Sequence, residues 1–237
     1  MIKKHPKRVL LKLSGEALQG SKEYGIDVKL LEKLSEKIVY LSRYKGVQIV
    51  IVIGGGNIFR GVSGAASGID RSQADYMGML ATVMNGIALG DAIEKQGNSV
   101  RIMSALEIPK VAETFIRRRA LKHLEKGRVV LTVSGTGNPY FTTDSAAVLR
   151  ALELNCDFMI KGTKVDGIYD KDPFVDSTAK KYENIGIDEA LDKGLQIMDQ
   201  SAIALAKDEK LPIFVCKLMD IEKILSKSIK GTYVDVT

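Results

Sequence analysis

Three glycine-rich segments follow apolar, strand-like segments and have the composition of anion-binding loops. They are KLSGE at 12–16, GGGNIFRG at 54–61 and TGNPYFTTDS at 136–145. Each supplies closely spaced backbone N–H groups, the last adds hydroxyl groups, and a helix that follows such a loop favours a bound anion at its N-terminus. Three loops of this kind in 237 residues predict phosphoryl transfer.

The loop at 54–61 is weak evidence when it is taken alone. It matches neither the G-x-x-x-x-G-K-S/T pattern nor G-x-G-x-x-G with a suitably placed acid. Its three glycines also fit a tight turn between a strand and a helix. Arg60, within the same segment, has a guanidinium group that can bind phosphate oxygens in a bidentate manner.

Two charged residues within these segments are candidates for catalysis. Lys12 is a cation inside an apolar strand, where burial is costly unless the ammonium reaches a polar region. It either extends to the strand end or enters a cleft, where it can neutralise charge on a transferred phosphoryl group. Asp144 lies at a predicted helix start, so it either stabilises that helix terminus or orients a lysine or a hydrated Mg²⁺ ion. The residues alone leave these alternatives open.

The elements that must position these groups alternate between apolar strands and amphipathic helices. Strands that are apolar throughout, alternating with helices, predict an α/β fold with a mostly parallel sheet covered by helices on both faces. Ligands of such sheets bind beyond the carboxyl ends of the strands, where all three loops are expected. The predicted strands are 8–13, 47–53, 100–103, 129–133, 157–160, 213–216 and 232–236, and the predicted helices are 27–44, 70–96, 112–125, 144–154, 187–193, 199–209 and 221–226.

Composition narrows the class of protein. The net charge of +6 and a pI near 9.1 fit anionic ligands such as nucleotides. The basic segment 117–128 has few aromatic residues nearby, so nucleic acid is not the predicted partner. Cys156 and Cys216 lack the spacing of a disulfide framework or a zinc site. No apolar run approaches the roughly 18 residues that span a bilayer, which predicts a cytoplasmic protein without a membrane partner.

Six segments together resemble the bacterial uridylate (UMP) kinases, a branch of the amino-acid kinase family. The segments are KLSGEALQG, GGGNIFRG, DYMGMLATVMNG at 75–86, GTGNPYFTTDSAA at 135–147, KVDGIYDKDP at 164–173 and MDQSA at 198–202. They occur in the order and spacing of that branch and cover nearly the whole chain. Related kinases acting on acetylglutamate, aspartate or carbamate share the first two segments but not DYMGMLATVMNG or GTGNPYFTTDSAA.

The resemblance implies a fold, an activity and a set of site residues. The fold is a three-layer sandwich formed by one amino-acid kinase domain over 1–237, with a UMP-side lobe at roughly 1–155 and an ATP-side lobe at roughly 156–237. The activity is ATP-dependent phosphorylation of UMP to UDP, with Mg²⁺ held mainly by the nucleotide phosphates. The implied catalytic residues are Lys12, Arg60, Asp144 and Asp199; the ATP contacts are Lys12, Leu13, Ser14, Gly15, Gly56, Arg60, Thr163, Tyr169 and Asp172; the UMP contacts are Gly55, Asp75, Thr136, Gly137, Asn138, Pro139, Tyr140, Phe141, Thr142 and Thr143.

Regulation and assembly are also implied by the resemblance. Bacterial members form homohexamers, are inhibited by UTP and are commonly activated by GTP. The activator site uses basic groups on the helix after MNG, where this chain has Gly90 and Glu94, so GTP activation stays open. The implied effector residues are Gly20, Ser21, Lys22, Glu23, Tyr24, Gly25, Arg101 and Arg128. Separately, the long helix carries an apolar stripe that fits either subunit packing or burial in the core: Met79, Leu80, Val83, Met84 and Ile87.

Two other functions remain possible from the sequence. One is an amino-acid kinase family enzyme that acts on a small carboxylate, and the other is a nonenzymatic uridine-nucleotide sensor that binds nucleic acid through its basic helix. Turnover with Mg-ATP and each acceptor in turn separates the three.

Overall fold

The structure, a computed structural model, describes residues 6–59, 68–195, 197–226 and 229–236. Within these ranges a central sheet of nine strands carries helices on both faces. The strand order is β4-β3-β5-β2-β1-β6-β10-β11-β9. The strands of the whole described chain are β1 (Arg8–Leu13), β2 (Gln48–Ile53), β3 (Val100–Ser104), β4 (Glu113–Thr114), β5 (Val129–Val133), β6 (Phe158–Thr163), β7 (Ile168–Tyr169), β8 (Lys181–Tyr182), β9 (Asn184–Gly186), β10 (Ile213–Lys217) and β11 (Gly231–Asp235).

Neighbouring strands of the sheet are parallel except for β10 and β11, which are antiparallel. The strands β7 and β8 form a separate antiparallel hairpin. The predicted α/β class with a mostly parallel sheet is therefore confirmed. The α-helices are α1 (Val28–Val39), α2 (Arg71–Lys95), α3 (Arg117–Glu125), α4 (Thr143–Glu153), α5 (Ile187–Asp192) and α6 (Gln200–Asp208). Gly15–Leu18 and Leu218–Leu225 are 3₁₀ helices, and Tyr40–Tyr44 is a π-helical turn after α1.

Alternation along β1 decides which face each side chain occupies. Val9, Leu11 and Leu13 belong to the hydrophobic cluster that includes residues of α1 and α2. Leu10 belongs to the opposite cluster, which includes residues of α4, α5 and α6. Because side chains alternate along a strand, Lys12 points to the same face as Leu10. The strand therefore directs Lys12 toward α4, the helix that carries Asp144.

Two helix starts are set by aspartate side-chain caps. Asp27 accepts a hydrogen bond from the Leu30 N–H at 3.2 Å, and α1 begins at the next residue. Asp70 accepts one from the Gln73 N–H at 3.1 Å at the start of α2. Such caps satisfy backbone donors that have no partner inside the helix.

The predicted helix over 112–125 is wrong in its first part. Glu113 and Thr114 form β4, which pairs with β3, and α3 begins only at Arg117. The Phe115 N–H donates to the Ser104 carbonyl at 2.8 Å, so this segment satisfies its backbone groups at the sheet edge. The stretch 164–185, for which no strand or helix was predicted, contains the hairpin β7–β8 and the start of β9.

Helix α2 is the one described helix that is long and apolar enough to cross a membrane by length and composition. Slightly more than half of its most apolar window, 56%, is buried inside the fold. The predicted stripe on this helix divides between two environments: Met79 and Val83 are buried, whereas Leu80, Met84 and Ile87 are exposed. Since a core helix passes the same composition test, α2 is best explained by packing on the sheet.

Candidate active site

The first two glycine-rich loops lie against each other at the carboxyl ends of β1 and β2. The Gly54 N–H donates to the Leu13 carbonyl at 2.8 Å. A Cβ atom placed on Gly15 would lie 2.6 Å from the Gly56 backbone nitrogen, and one on Gly55 would lie 2.7 Å from the Gly78 carbonyl oxygen. Glycine is therefore required at 15 and 55 because neighbouring backbone leaves no space for a side chain.

A buried pair of asparagines supports the loop at 54–56. Asn57 and Asn85 exchange amide hydrogen bonds of 3.0 and 2.7 Å. Asn85 also donates to the Gly54 carbonyl at 2.7 Å, and Asn57 donates to the Gly25 carbonyl at 2.9 Å. Buried amides need such partners, so the pair fixes the loop against α2.

Lys12, Asp144 and Lys161 form a buried ion cluster, called here the two-lysine cluster. The Lys12 Nζ atom lies 2.6 Å from Asp144 Oδ1, and the Lys161 Nζ atom lies 2.9 Å from Asp144 Oδ2. The side chains are 9%, 13% and 18% exposed for Lys12, Asp144 and Lys161 respectively. Lys12 on β1 and Lys161 on β6 are register partners, which brings both ammonium groups to one carboxylate. Lys12 thus reaches a polar cleft instead of extending to solvent.

The cluster shifts the pKa values of its members. Burial would raise the pKa of Asp144, but the attraction of Lys12 and Lys161 outweighs burial and holds it below the ordinary value. Burial is the main cause of the lowered pKa of Lys161; Asp144 opposes this shift and the charge of Lys12 adds to it. Asp144 is therefore ionised at neutral pH beside two cations.

Asp199 holds the start of the helix that carries Asp144. Its carboxylate accepts hydrogen bonds from the Ser145 hydroxyl at 3.0 Å, from the Ala202 N–H at 2.9 Å and from the Thr142 hydroxyl. The Thr142 hydroxyl in turn accepts from the Asp144 N–H at 3.0 Å. Asp199 therefore caps α6 and orients the first turn of α4, where Asp144 lies.

One cavity, of about 300 Å³, lies beside the triple-glycine loop and is called here the glycine-loop cavity. Asp75 lies in its wall, where its carboxylate accepts from Arg71 Nε at 2.9 Å and from the Tyr140 N–H at 2.8 Å. The cavity is lined by Gly55, Gly56, Phe59, Asp75, Gly78, Met79, Thr82, Gly135, Thr136, Phe141, Thr142 and Thr143.

The segment 136–143 meets this cavity with its two ends. Among the described residues, Thr136 and Phe141 to Thr143 contribute to the lining, whereas 137–140 do not. Tyr140 has a φ of 71°, and its side chain is 68% exposed. Gly137 has a φ of 84°, and a Cβ atom there would lie 3.2 Å from Ala105. The tip of the loop, residues 137–140, therefore lies outside the lining of the glycine-loop cavity.

A second cavity, of about 640 Å³, lies beside the β7–β8 hairpin and is called here the hairpin cavity. Three predicted site residues, Thr163, Tyr169 and Asp172, line it together with Lys161. Lys161 belongs to the two-lysine cluster, and Thr143, next to Asp144, lines the glycine-loop cavity. The cluster therefore adjoins both cavities, as a site of transfer between two ligands requires.

The predicted effector residues divide between two regions. Arg101 lies 3.5 Å from Glu113, and Arg128 donates to His123 Nδ1 at 2.9 Å, while His123 Nε2 lies 3.1 Å from Glu113. The segment 20–25 instead contacts the asparagine pair, because the Gly25 N–H donates to the Asn57 carbonyl at 2.9 Å. Lys22 donates to the Ile26 carbonyl at 2.9 Å, and Ser21, Glu23 and Tyr24 are exposed. Arg60 lies outside the described residues.

Sequence reasoning missed Lys161 and Asn85, although the same signal was available for both. Lys161 is a cation in the apolar strand FMIKGT, as Lys12 is in RVLLKL. Asn85 is an amide on the buried side of a helix that is mostly apolar there. A polar side chain inside an apolar element needs a partner, so each of these positions pointed to a site.

The comparisons with known proteins agree with this geometry. The chain belongs to the amino-acid kinase family, whose pattern, described as "Amino acid kinase family", matches residues 7–217. Within that family it is similar to the "Uridylate kinase" of Helicobacter hepaticus, with 58% identity over 213 residues, 90% of each chain. It is also similar to the "Uridylate kinase" of Xanthomonas campestris pv. campestris, with 55% identity over 207 residues, 87% of this chain and 86% of the other.

Solved structures give the same result. The UMP kinase from Bacillus anthracis has a TM-score of 0.92 at 36% identity, covering 98% of this chain and 96% of that one. The UMP kinase from Ureaplasma parvum has a TM-score of 0.90 at 36% identity, covering 97% and 98%. The resemblance drawn from six sequence segments and the three-layer sandwich that it implied are both confirmed.

Proposed function

We propose that this protein is a nucleoside monophosphate kinase that transfers the terminal phosphoryl group of ATP to UMP and forms UDP, in pyrimidine nucleotide biosynthesis. The observation that carries this proposal is the two-lysine cluster: its Lys161 lines the hairpin cavity, and its Asp144 directly follows Thr143, which lines the glycine-loop cavity. The similarity to uridylate kinases supports UMP as the acceptor.

UMP occupies the glycine-loop cavity in this proposal. Gly55 and the segment 136–143 supply backbone and hydroxyl donors, and the N–H of Gly55 binds a phosphate oxygen. Asp75 accepts the ribose hydroxyls with the lone pairs that Arg71 and Tyr140 leave free.

ATP lies along the first two glycine-rich loops and extends into the hairpin cavity. Its phosphates meet Lys12 to Gly15 and Gly56, and its nucleoside occupies the hairpin cavity with Thr163, Tyr169 and Asp172. The nucleoside parts of the two ligands then lie in a UMP-side lobe at roughly 1–155 and an ATP-side lobe at roughly 156–237 within one domain, while the ATP phosphates reach loops of the first lobe.

The transfer itself needs alignment and charge neutralisation more than proton removal. A phosphate monoester has a second pKa of about 6, so the attacking oxygen of UMP is already ionised at neutral pH. Lys12 and Lys161 neutralise charge that develops on the transferred group, and Asp144 keeps both ammonium groups in place. Arg60 is assigned to the same phosphates by the resemblance.

The described residues fit a metal held by the substrate. They contain no group of three His, Cys, Asp or Glu side chains that could enclose an ion. Asp144 and Asp199 are the nearby carboxylates, and both are engaged by donors of this chain. Mg²⁺, when bound by the nucleotide phosphates, supplies additional positive charge on the transferred group.

The assignment as a UMP kinase also bears on inhibition by UTP, on assembly and on activation by GTP. UTP inhibits by binding in the glycine-loop cavity in place of UMP. The exposed apolar residues Leu80, Met84 and Ile87 on α2 fit subunit packing in a homohexamer. GTP activation is tested by measuring UMP turnover with and without GTP.

The experiment that tests the proposal is turnover with purified protein. Mg-ATP is supplied with UMP, CMP or acetylglutamate in turn, and ADP release is followed. We expect turnover with UMP. Turnover with acetylglutamate would overturn the proposal, and tight UTP binding without turnover of any acceptor would favour a nucleotide sensor. Lys12→Ala should bind UMP normally and lose most of kcat, as expected for a transition-state contact.

A further inference from the structure

Phe174 is a large aromatic side chain that the fold leaves in solvent. It is 75% exposed, and it also lines the hairpin cavity. Its neighbour Val175 is 85% exposed and is absent from the cavity lining among the described residues. An exposed aromatic ring at the wall of a concave site indicates a binding surface more than a folding requirement.

The backbone around Phe174 is held by local hydrogen bonds. The Phe174 N–H donates to Asp172 Oδ1 at 2.9 Å, and the Asp176 N–H donates to the Asp172 carbonyl at 2.9 Å. At the base of the loop, the Asp170 N–H donates to the Lys180 carbonyl at 3.1 Å, and the Lys180 N–H returns a bond to Asp170 Oδ1 at 2.7 Å. The loop therefore presents the ring from a defined turn.

The hydroxyl groups in the same wall are already engaged within the chain. Thr163 donates to the Val165 carbonyl at 2.7 Å, and Tyr169 donates to Asp166 at 2.6 Å. Ring stacking on a flat base needs no free hydroxyl group, so it suits a wall in which both hydroxyls are already hydrogen-bonded. Every base has a π-face, and aromatic residues stack on it with useful affinity.

We propose that Phe174 covers the base of the nucleoside triphosphate in the hairpin cavity and thereby sets the affinity for the phosphoryl donor. This inference rests on the proposed function, because it takes the hairpin cavity as the donor site. The ring gives up its exposure to water when the base binds, which adds apolar burial to stacking. Phe174 acts as a binding residue and takes no part in the transfer.

The test compares Phe174→Ala with the adjacent control Val175→Ala. For Phe174→Ala we expect the KM for ATP to rise about tenfold, a loss typical of one base-stacking contact, while kcat and the KM for UMP stay unchanged. Phe174→Trp should keep the KM for ATP close to that of the parent protein. Val175→Ala should leave all three parameters unchanged, because that side chain does not line the cavity.

A second measurement separates loss of stacking from a disturbed loop. Inorganic tripolyphosphate reproduces the phosphate part of ATP and lacks the base, so its inhibition constant should be the same in Phe174→Ala and the parent. An unchanged KM for ATP in Phe174→Ala, or an equal loss of ATP and tripolyphosphate affinity, would overturn the inference. Should the parent protein fail to phosphorylate UMP, the proposed function fails, and calorimetric ATP binding by both proteins still decides the role of Phe174.

Discussion

Replacing Asp144 with asparagine removes the charge that two buried lysines share and preserves the shape of the side chain. Its carboxylate lies 2.6 Å from Lys12 Nζ and 2.9 Å from Lys161 Nζ, with only 13% of the side chain exposed. Removing one partner of a buried ion pair costs about 3–5 kcal/mol, because the remaining charge is left uncompensated. Here two ammonium groups would be left, so we expect a loss of unfolding free energy in this range for Asp144→Asn.

Activity should fall as well. Removing one preorganised group that stabilises transition-state charge lowers kcat about 10²–10³-fold. Asp144 positions two cations, so Asp144→Asn should lose at least that much, with a small change in the KM for UMP. Steady-state kinetics with Mg-ATP and UMP measures both parameters.

The pH dependence supplies a readout that a purely structural role would not move. Burial lowers the pKa of Lys161, and Asp144 counteracts this effect. Without the carboxylate the pKa of Lys161 falls further, so the alkaline loss of kcat should begin at a lower pH in the variant. The pKa of Asp144 itself lies below the ordinary carboxyl value because the lysines outweigh its burial. Its stabilisation is therefore present above the ordinary carboxyl pKa and is lost as pH falls through the folded-state value.

The matched control is Asp188→Asn. Asp188 lies 2.6 Å from Lys207, but the two side chains are 67% and 45% exposed, so the loss should not exceed about 1 kcal/mol. The reasoning is refuted if Asp144→Asn keeps nearly normal kcat and an unchanged alkaline limb, or if both variants lose the same stability.

Three further predictions concern a loop glycine, the asparagine pair and a buried thiol. Gly15→Ala should abolish most activity and lower the melting temperature, because its Cβ atom would lie 2.6 Å from the Gly56 nitrogen; activity with normal melting would contradict this contact. Asn85→Leu should lower the unfolding free energy by about 1–3 kcal/mol in urea titrations, since Asn57 and the Gly54 carbonyl lose a buried partner; an unchanged value would show that water replaces it. Cys216, which is buried and whose pKa burial raises to about 12, should react with a thiol reagent at pH 8 only after denaturation; rapid labelling of Cys216 in the folded protein would disprove its burial.

The sheet and the glycine-rich loops were predictable because their signals are local. Apolar runs such as QIVIVI mark buried parallel strands, and glycines directly after them mark loops at the carboxyl ends. The strand β4 was missed because two residues at a sheet edge have no periodicity to detect. Their pairing depends on β3, which lies nine residues earlier at Ser104.

The chemistry of the site was predictable in part. Lys12 and Asp144 stood out as polar residues in unexpected places, yet their contact depends on α4 packing over β1. Lys161 carried the same signal as Lys12, but its role emerges only from the register of β1 with β6. Asp199 matched a family pattern, and its hydrogen bonds to Thr142 and Ser145 are a product of tertiary packing between α4 and α6.

The pairing of Lys12 on β1 with Lys161 on β6 sets the distance between the two cations of the site. Adjacent parallel strands lie about 4.8 Å apart, and backbone hydrogen bonds set that spacing. Insertions in the surrounding loops leave it unaltered, whereas a slip of one residue in either strand would turn one ammonium to the opposite face of the sheet. The spacing of the cationic pair is therefore fixed by the sheet itself and does not depend on the length of the loops around it.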